Sequence, residues 1–213
     1  MPTSVEYLLA NNREQTVSEV DDFTAERYRQ MFRELPPGAT KILDAGCNTG
    51  RGGVILNKLN PALEIFGLDC IPERIERLDP AVYVRGFCGY STHVPVPEQT
   101  FDAIVGGEFI EHVPPGEIDP TLAEFFRVLK LRGRLILTTP NPNYVKNRLR
   151  GLSVLLERSH VSQHYPDCLR HRLRSNGYSR VAVRGSGRMT RWIGARFPWL
   201  AFYGSYLVRA DKW

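Results

Sequence analysis

The sequence lacks the features that would assign it to a membrane or secreted class. It has no uninterrupted apolar run of about 18 or more residues, the length that a membrane-spanning helix requires. Its first residues, MPTSVEYLLA, do not show the basic and then apolar order of a secretory signal. Its four cysteines, Cys47, Cys70, Cys88 and Cys168, form no CxxC pair. We therefore expect a cytoplasmic protein with free thiols and no transmembrane segment.

Acidic residues are scarce in the C-terminal part of the chain. Residues 130–213 hold 17 Lys and Arg against 3 Asp and Glu, a net charge of +14, whereas residues 1–129 hold 11 against 20, a net charge of −9. This asymmetry favours an anionic partner, and a phosphorylated small molecule, a glycolipid, RNA and an anionic membrane surface all remain open. The structural alternative is a solvated face whose Arg stems cover apolar surface.

The sequence is organised around one glycine-containing turn. Its 213 residues, 42% of them hydrophobic, suffice for a single domain with a sizeable core. Ile42 and Leu43 end a buried strand, Gly46 and Gly50 make a tight turn, and an amphipathic helix begins near Val54. This arrangement seats a nucleotide-type ligand in an open α/β sheet, because glycine lets the backbone approach the ligand.

The spacing of this turn excludes two common nucleotide motifs. In a G-x-G-x-x-G turn that started at Gly46, the later glycines would fall on Asn48 and Arg51. A phosphate-binding loop needs Gly-Lys followed by Ser or Thr, but Gly50 is followed by Arg51. The pattern that remains, Asp44-x-Gly46-x-Asn48-x-Gly50, resembles motif I of the class I S-adenosylmethionine (SAM) methyltransferases, D-x-G-x-G-x-G, with Asn48 in place of the middle glycine.

A second landmark is the acidic residue at the end of the next predicted strand. Asp69 ends the segment Glu64–Asp69 and lies 25 residues after Asp44. At that position a carboxylate can accept hydrogen bonds from both ribose hydroxyls of the cofactor. Asp69 could instead cap the helix that begins at Pro72. After the third predicted strand, residues 81–86, the resemblance implies an Asp against adenine, but the sequence has Phe87 and Cys88, so we expect adenine to pack on backbone and Phe87.

The fourth strand, Phe101–Val105, leads into Glu108-Phe-Ile-Glu111-His112-Val. This E-x-x-E-H-V segment is similar to those of ubiquinone-biosynthesis-type O-methyltransferases and of the Hen1 family of RNA 3′-end 2′-O-methyltransferases. Further sequence features of these families follow along the chain in the same order, and the resemblance covers roughly residues 38–145. The resemblance implies an enzyme that uses SAM. We predict that its cofactor site contains Asp44, Gly46, Cys47, Asn48, Gly50, Asp69, Cys70, Cys88 and Glu108.

The predicted catalytic residues are His112, Glu111 and His160. On a helix that started near Glu108, the side chains of Glu108, Glu111 and His112 would share one face. Histidine titrates near neutrality, so His112 is the candidate general base. In Hen1-like enzymes such a set joins a later histidine, here His160, to hold a divalent metal. In related enzymes without a metal, the same residues shape the pocket, so we assign SAM as the cofactor and do not favour a divalent metal.

These observations predict a class I methyltransferase domain, a Rossmann-like α/β fold with seven strands in the order 3-2-1-4-5-7-6, strand 7 antiparallel and helices on both faces. We divide it into an N-terminal helical cap (1–37), a cofactor-binding core (38–145), and an acceptor-side lid with the C-terminal strands (146–213). The expected reaction is O-methylation of a hydroxyl on a polar or anionic small molecule or glycan. RNA ribose methylation is the alternative within enzymes, and a non-catalytic SAM-binding protein is the alternative of another class.

Two C-terminal segments bear on the acceptor. Residues 144–158 carry several basic residues, and we predict that they form a mobile lid over the acceptor site. Residues 188–200 mix Arg with Trp192, Phe197 and Trp199. Such a stretch can stack on sugars or bases, or rest in a bilayer interface as a peripheral membrane contact. It can also form a helix that covers the edge of the sheet.

Overall fold

The computed structural model of the protein describes residues 9–10, 12–13 and 23–213. The strands are β1 Lys41–Ala45, β2 Glu64–Asp69, β3 Tyr83–Cys88, β4 Phe101–Gly107, β5 Leu129–Pro140, β6 Ser179–Ser186 and β7 Ser205–Asp211. The helices of 23–213 are α1 Phe23–Arg33, α2 Arg51–Leu59, α3 Pro72–Ile75, α4 Ile118–Val128, α5 Val145–Leu149, α6 Pro166–Ser175 and α7 Thr190–Ile193. Most of the predicted cap before α1 lies outside the described residues, and the three-part division of the chain stays a prediction.

The seven strands form one sheet in the order β3-β2-β1-β4-β5-β7-β6, which confirms the predicted order. β1 pairs in parallel with β2 and β4, β2 with β3, and β4 with β5. β7 runs antiparallel to both β5 and β6, also as predicted. The sequence predicts β6 over 178–184 and β7 over 202–208. The observed strands begin and end one to three residues later, because the sequence indicates that a strand exists more reliably than it indicates where the strand ends.

Helices cover both faces of the sheet, so the central strands are apolar on both sides. Ile42 and Leu43 are adjacent in β1 and both fully buried, but they belong to two different core clusters. Successive side chains of a strand point to opposite faces, and each face here packs against helices. Helix α1 contributes Tyr28 and Met31 to one cluster, and α4 contributes Leu122 to the other.

No helix in the described part of the chain is both long and apolar enough to cross a membrane. The segment 188–200 does not form the helix that we considered as a cover for the sheet edge. Only Thr190–Ile193 is helical there, and Trp192 and Trp199 lie exposed. Gly194 ends the helical turn with a φ of 68°, and Pro198 cannot continue an α-helix, which explains why the helix stops.

Candidate active site

A cavity of about 260 Å³ opens at the carboxyl edge of the parallel strands. It lies beside β1, where the strand order reverses, and ligands of open α/β sheets bind at such a point. The predicted site residues that line it are Gly46, Cys47, Asn48, Asp69, Cys70, Glu108, His112 and His160. Within the described part of the chain, the lining does not include the other predicted residues, which are Asp44, Gly50, Cys88 and Glu111.

The turn after β1 places its backbone directly against the cavity. Gly46 has a φ of 66°, and a Cβ there would lie 2.7 Å from Cδ2 of the Phe109 ring. Its amide donates a hydrogen bond of 2.8 Å to the carbonyl of Leu68, which ties the turn to the end of β2. Asn48 also has a positive φ, 50°. Asparagine tolerates the left-handed region better than other non-glycine residues, which explains how it replaces the middle glycine of the motif.

Asp44 supports this turn from beneath and is fully buried. Its two carboxylate oxygens each accept a 2.7 Å hydrogen bond from a tyrosine hydroxyl, Oδ1 from Tyr28 of α1 and Oδ2 from Tyr83 of β3. The Tyr83 hydroxyl in turn accepts a bond from the amide of Gly53 in α2. The predicted direct contact of Asp44 with the cofactor is therefore not supported, because both oxygens face the protein interior.

Two other predicted cofactor contacts are also placed away from the cavity. Gly50 begins α2 with a φ of 90°, and the space beside it is filled by Leu78 and Tyr83. Cys88 ends β3 with its side chain exposed to solvent. The prediction that adenine packs on Phe87 is wrong, since Phe87 is buried in the core and stacks on Phe66. The cavity wall beyond β3 is formed instead by Gly89, Tyr90 and Ser91.

Asp69 is held rigidly at the end of β2. Its Oδ2 accepts the amide of Asn48 and its Oδ1 accepts the amide of Ile71, both at 3.0 Å. The guanidinium of Arg74 lies 3.5 Å from Oδ2. Because a carboxylate oxygen has two lone pairs, each oxygen can still accept a hydroxyl from a ligand in the cavity. The helix-cap alternative is not observed, because Ile71 occupies the N-cap position of α3 and no side chain among the described residues caps the helix.

Helix α1 adds Thr24, Arg27 and Tyr28 to the cavity lining, none of which the sequence indicated as a site residue. The helix packs on α2 and reaches the site across the sheet. The sequence predicts a helix here from an apolar stripe that includes Tyr28 and Met31, and such a stripe indicates packing but not contact with a pocket. The suggestion that this helix caps the cofactor stays a prediction.

Glu108 follows β4 in a left-handed conformation with a φ of 50°, and not at the start of a helix. Its amide donates to the carbonyl of Thr138 at 3.0 Å, so the chain is still bound to β5 there. The helical turn begins only at Ile110 and ends at His112. The expected shared helical face of Glu108, Glu111 and His112 is therefore wrong. The Glu108 carboxylate instead approaches Arg27 at 3.5 Å and accepts the hydroxyl of Ser205 at 3.2 Å.

Glu111, His112 and His160 nevertheless converge. One ligand atom from each lies within 4.8 Å of those of the other two, and the imidazole centroids are 5.0 Å apart. The Nδ1 atom of His112 is 2.8 Å from the carbonyl of Ser159, and that of His160 is 2.8 Å from the carbonyl of Val154. A carbonyl only accepts, so Nδ1 carries a proton in both rings and donates a hydrogen bond to that carbonyl.

Comparison with known proteins identifies the domain that carries these residues. Residues 42–133 match the family described as "Methyltransferase domain". A SAM-dependent methyltransferase from Archaeoglobus fulgidus is similar in structure, with a TM-score of 0.70 and 18% identity, over 88% of this chain and 92% of that one. The chain belongs to the class I SAM-dependent methyltransferases.

Two curated relatives of this methyltransferase have different named acceptors. The ubiquinone biosynthesis O-methyltransferase of Homo sapiens is 30% identical over 163 residues, which cover 68% of this chain and 43% of that protein. The malonyl-[acyl-carrier protein] O-methyltransferase of Herminiimonas arsenicoxydans is 30% identical over 115 residues, 54% of this chain and 42% of the relative. The matched region thus spans less than half the length of either relative.

The electrostatics of the methyltransferase site depend on burial. Burial lowers the pKa of His112 to about 4, so its imidazole is neutral at physiological pH. Burial, followed by the charge of Glu108, raises the pKa of Glu111 well above its ordinary value. Both carboxylate oxygens of Glu111 are buried and accept no hydrogen bond from the described residues. A buried carboxyl without partners requires a proton or a cation, because an isolated buried charge is strongly disfavoured.

These donors fit a divalent cation. One carboxylate and two imidazoles are ligand types that suit zinc, iron or a similar transition metal. Each imidazole is already oriented by a backbone carbonyl on its Nδ1, the arrangement that holds metal-ligating histidines. His164, the histidine four residues after His160, does not join this group. It is buried, its Nε2 lies 3.2 Å from the carbonyl of Ile110, and it serves to hold the loop against the site.

Proposed function

We propose that the protein transfers a methyl group from SAM to a hydroxyl oxygen of a small molecule, with Asp69 in the cofactor half of the cavity and His112 in the acceptor half. The convergence of Glu111, His112 and His160 at the cavity carries this proposal. Those three residues come from two distant parts of the chain and have no evident packing role as a group. Their polar atoms point to chemistry rather than to stability.

The cofactor half is suited to SAM by shape and by charge. SAM supplies a methyl group that its sulfonium already activates, so the protein needs mainly to align the acceptor with that methyl. The glycine turn at Gly46 provides backbone without a side chain in the way. Asp69 offers acceptor oxygens for the ribose hydroxyls, and Tyr90 and Ser91 form the wall where the adenine would lie.

The acceptor half must bind a hydroxyl and receive its proton. His112 presents an unprotonated Nε2 to this side, held in that tautomer by the carbonyl of Ser159. Without a metal, this Nε2 would take the hydroxyl proton. We propose that Glu111, His112 and His160 can instead hold a divalent cation; the Nε2 lone pair would then be a metal ligand, the cation would lower the pKa of the acceptor hydroxyl, and the proton would leave to solvent through the open cavity. In either case the buried, preorganised ring loses little entropy when the acceptor arrives, which favours the aligned geometry.

The acceptor class is proposed to be a polar or anionic small molecule. The 144–158 segment carries exposed basic residues, including Lys146, Arg148 and Arg150. Glu157 of the same segment lines the cavity together with His160, so the segment borders the acceptor side. The named acceptors of the relatives range from an acyl-carrier protein to ubiquinone and menaquinone precursors, so they support transfer without selecting one compound. RNA ribose methylation remains the alternative reaction, and Glu111, His112 and His160 would have the same roles in it.

The test is transfer of labelled methyl from SAM to panels of hydroxylated small molecules, glycans and RNA, each with and without a chelator. We expect transfer to at least one small hydroxyl compound, loss of transfer in Glu111→Gln and His112→Ala, and unchanged transfer in His171→Ala, an exposed histidine of α6. The metal content of the purified variants gives a readout that is independent of turnover. Transfer to RNA alone would replace the proposed acceptor, and SAM binding without transfer to any panel would indicate a non-catalytic protein.

A further inference from the structure

A set of large apolar side chains is exposed at the end of the sheet where the cavity opens. It consists of Leu149, Leu155 and Leu156 from the 144–158 segment and Trp192, Trp199 and Phe202 from the 190–202 segment; we call it the apolar surface. Leu149 is 83% exposed, Trp192 80%, Leu156 64% and Trp199 63%. Isolated exposed apolar residues are ordinary, but six within two neighbouring segments need an explanation.

The two segments are joined to one another and to the active site. Asn141, next to the cavity-lining Pro140, donates its side-chain amide to the carbonyls of Leu200 and Tyr203. Helix α5 contacts the turn Leu200–Phe202, and the rings of Phe197, Trp199 and Phe202 pack against each other. On the other segment, the carbonyl of Val154 orients the imidazole of His160. The apolar surface therefore borders the acceptor half of the cavity.

The charge around the apolar surface is predominantly basic. Lys146, Arg148, Arg150 and Arg196 are exposed between its apolar residues. Between Pro140 and Pro166 the sequence contains a single acidic residue, Glu157, and residues 188–204 contain none. Exposed leucine and tryptophan side chains flanked by Lys and Arg are the composition of segments that lie in the interface of an anionic bilayer.

We propose that the apolar surface docks the protein on an anionic phospholipid bilayer and turns the mouth of the acceptor half towards the lipid. The exposed leucines favour a bilayer over RNA as the partner. Aromatic and Arg side chains could stack on bases, but Leu149, Leu155 and Leu156 have no such use on a nucleic acid, whereas they gain by entering the acyl boundary. Docking of this kind requires no methyl transfer and is independent of the proposed reaction.

The three tryptophans of the chain provide a matched test. Trp192 and Trp199 lie on the apolar surface, while Trp213 lies near Arg132 at the opposite end of the sheet, where Arg180 stacks on its ring. The experiment measures tryptophan quenching by brominated lipid in vesicles of phosphatidylglycerol and phosphatidylcholine in equal amounts, and in vesicles of phosphatidylcholine alone. Co-sedimentation of protein with the same vesicles gives the partition coefficient.

In Trp213→Phe, which keeps the two surface tryptophans, we expect quenching by the anionic vesicles and weak quenching by the neutral ones. In Trp192→Ser/Trp199→Ser, which keeps only Trp213, we expect little quenching and a partition coefficient reduced about tenfold or more. Leu149→Ser should lower partition in the same direction, and added salt should weaken binding.

Unchanged SAM affinity in all these variants shows that they are folded and separates docking from the proposed reaction. Equal partition of Trp213→Phe and the double variant would overturn the proposal, as would absence of vesicle binding by the folded wild-type protein. Binding to an RNA oligonucleotide that depends on Trp192 and Trp199, without vesicle binding, would overturn it in favour of a nucleic-acid surface.

Discussion

Removal of one hydroxyl, in Tyr28→Phe, tests how the N-terminal helix supports the glycine turn. The Tyr28 hydroxyl donates to the buried Oδ1 of Asp44, and burial followed by the charge of Asp44 raises the pKa of Tyr28 well above its ordinary value. Its hydroxyl therefore stays protonated and donates. A hydrogen bond to a charged group contributes about 1.5–3 kcal/mol, so we expect a loss of about 2 kcal/mol in the free energy of unfolding at pH 8.

The size of this loss depends on the ionisation of Asp44. Burial raises the pKa of Asp44 from 3.8 to about 6, against the opposing effect of the two tyrosine bonds. The folded state thus binds the proton more tightly than the unfolded state, so this contribution to stability is fully present below pH 3.8 and is lost as pH rises through 6. The loss amounts to about 3 kcal/mol for Asp44. At pH 5 the carboxyl is mostly protonated, and Tyr28→Phe should cost about 1 kcal/mol or less.

The assay is urea unfolding of wild type, Tyr28→Phe, Asp44→Asn and the double variant, each at pH 5 and pH 8. The structure predicts a coupling energy of about 1–3 kcal/mol between the two positions at pH 8 and a smaller one at pH 5. Tyr83→Phe serves as a comparison, because its hydroxyl binds the other oxygen of the same carboxylate. Additive effects at pH 8, or a cost of Tyr28→Phe that is equal at both pH values, would refute the reasoning.

Further predictions concern the glycine turn and are checked by SAM affinity and thermal unfolding. Gly46→Ala should weaken SAM binding about tenfold or more, since its Cβ meets Phe109 and its φ is positive, whereas Gly116→Ala, with open space, should be neutral. Asn48→Gly should be tolerated and Asn48→Val should destabilise by about 1–2 kcal/mol, because only the valine is excluded from a φ of 50°. Gly52→Ala places a Cβ 2.1 Å from Tyr28 and should destabilise by about 2 kcal/mol or more. Normal melting temperatures in Gly46→Ala and Gly52→Ala, with unchanged SAM affinity, would contradict the described packing.

Much of the fold could be predicted because its signals are local. Apolar runs, the glycines after β1 and the acid that ends β2 each depend on a few consecutive residues. The order of the strands was implied by the family resemblance that these local features carry. The ends of β6 and β7 were less accurate, and Phe87 was placed wrongly. That error has a physical cause, since β3 pairs with an irregular register and turns Phe87 towards the core.

The candidate site was only partly predictable, since it depends on contacts between distant residues. The 47 positions between His112 and His160 contain no spacing that brings them together, and only the family resemblance suggested the pair. Arg27 and Tyr28 enter the cavity through the packing of α1 on the sheet, which no local pattern encodes. Glu108 shows the opposite kind of error. Helical spacing predicted that it shares a helix face with Glu111 and His112, but its backbone hydrogen bond to Thr138 keeps it outside the helical turn.

The central claim is that the crevice between Gly46 and Asp69 holds SAM. Calorimetric titration of SAM into wild type, Asp69→Ala and Asp167→Ala tests it most directly, with Asp167 as the control because its side chain is 90% exposed on α6. We predict binding by wild type and Asp167→Ala, and a loss of about tenfold or more in Asp69→Ala, the cost of charge-assisted hydrogen bonds. No SAM binding by the folded wild type, or equal affinity in all three proteins, would contradict it.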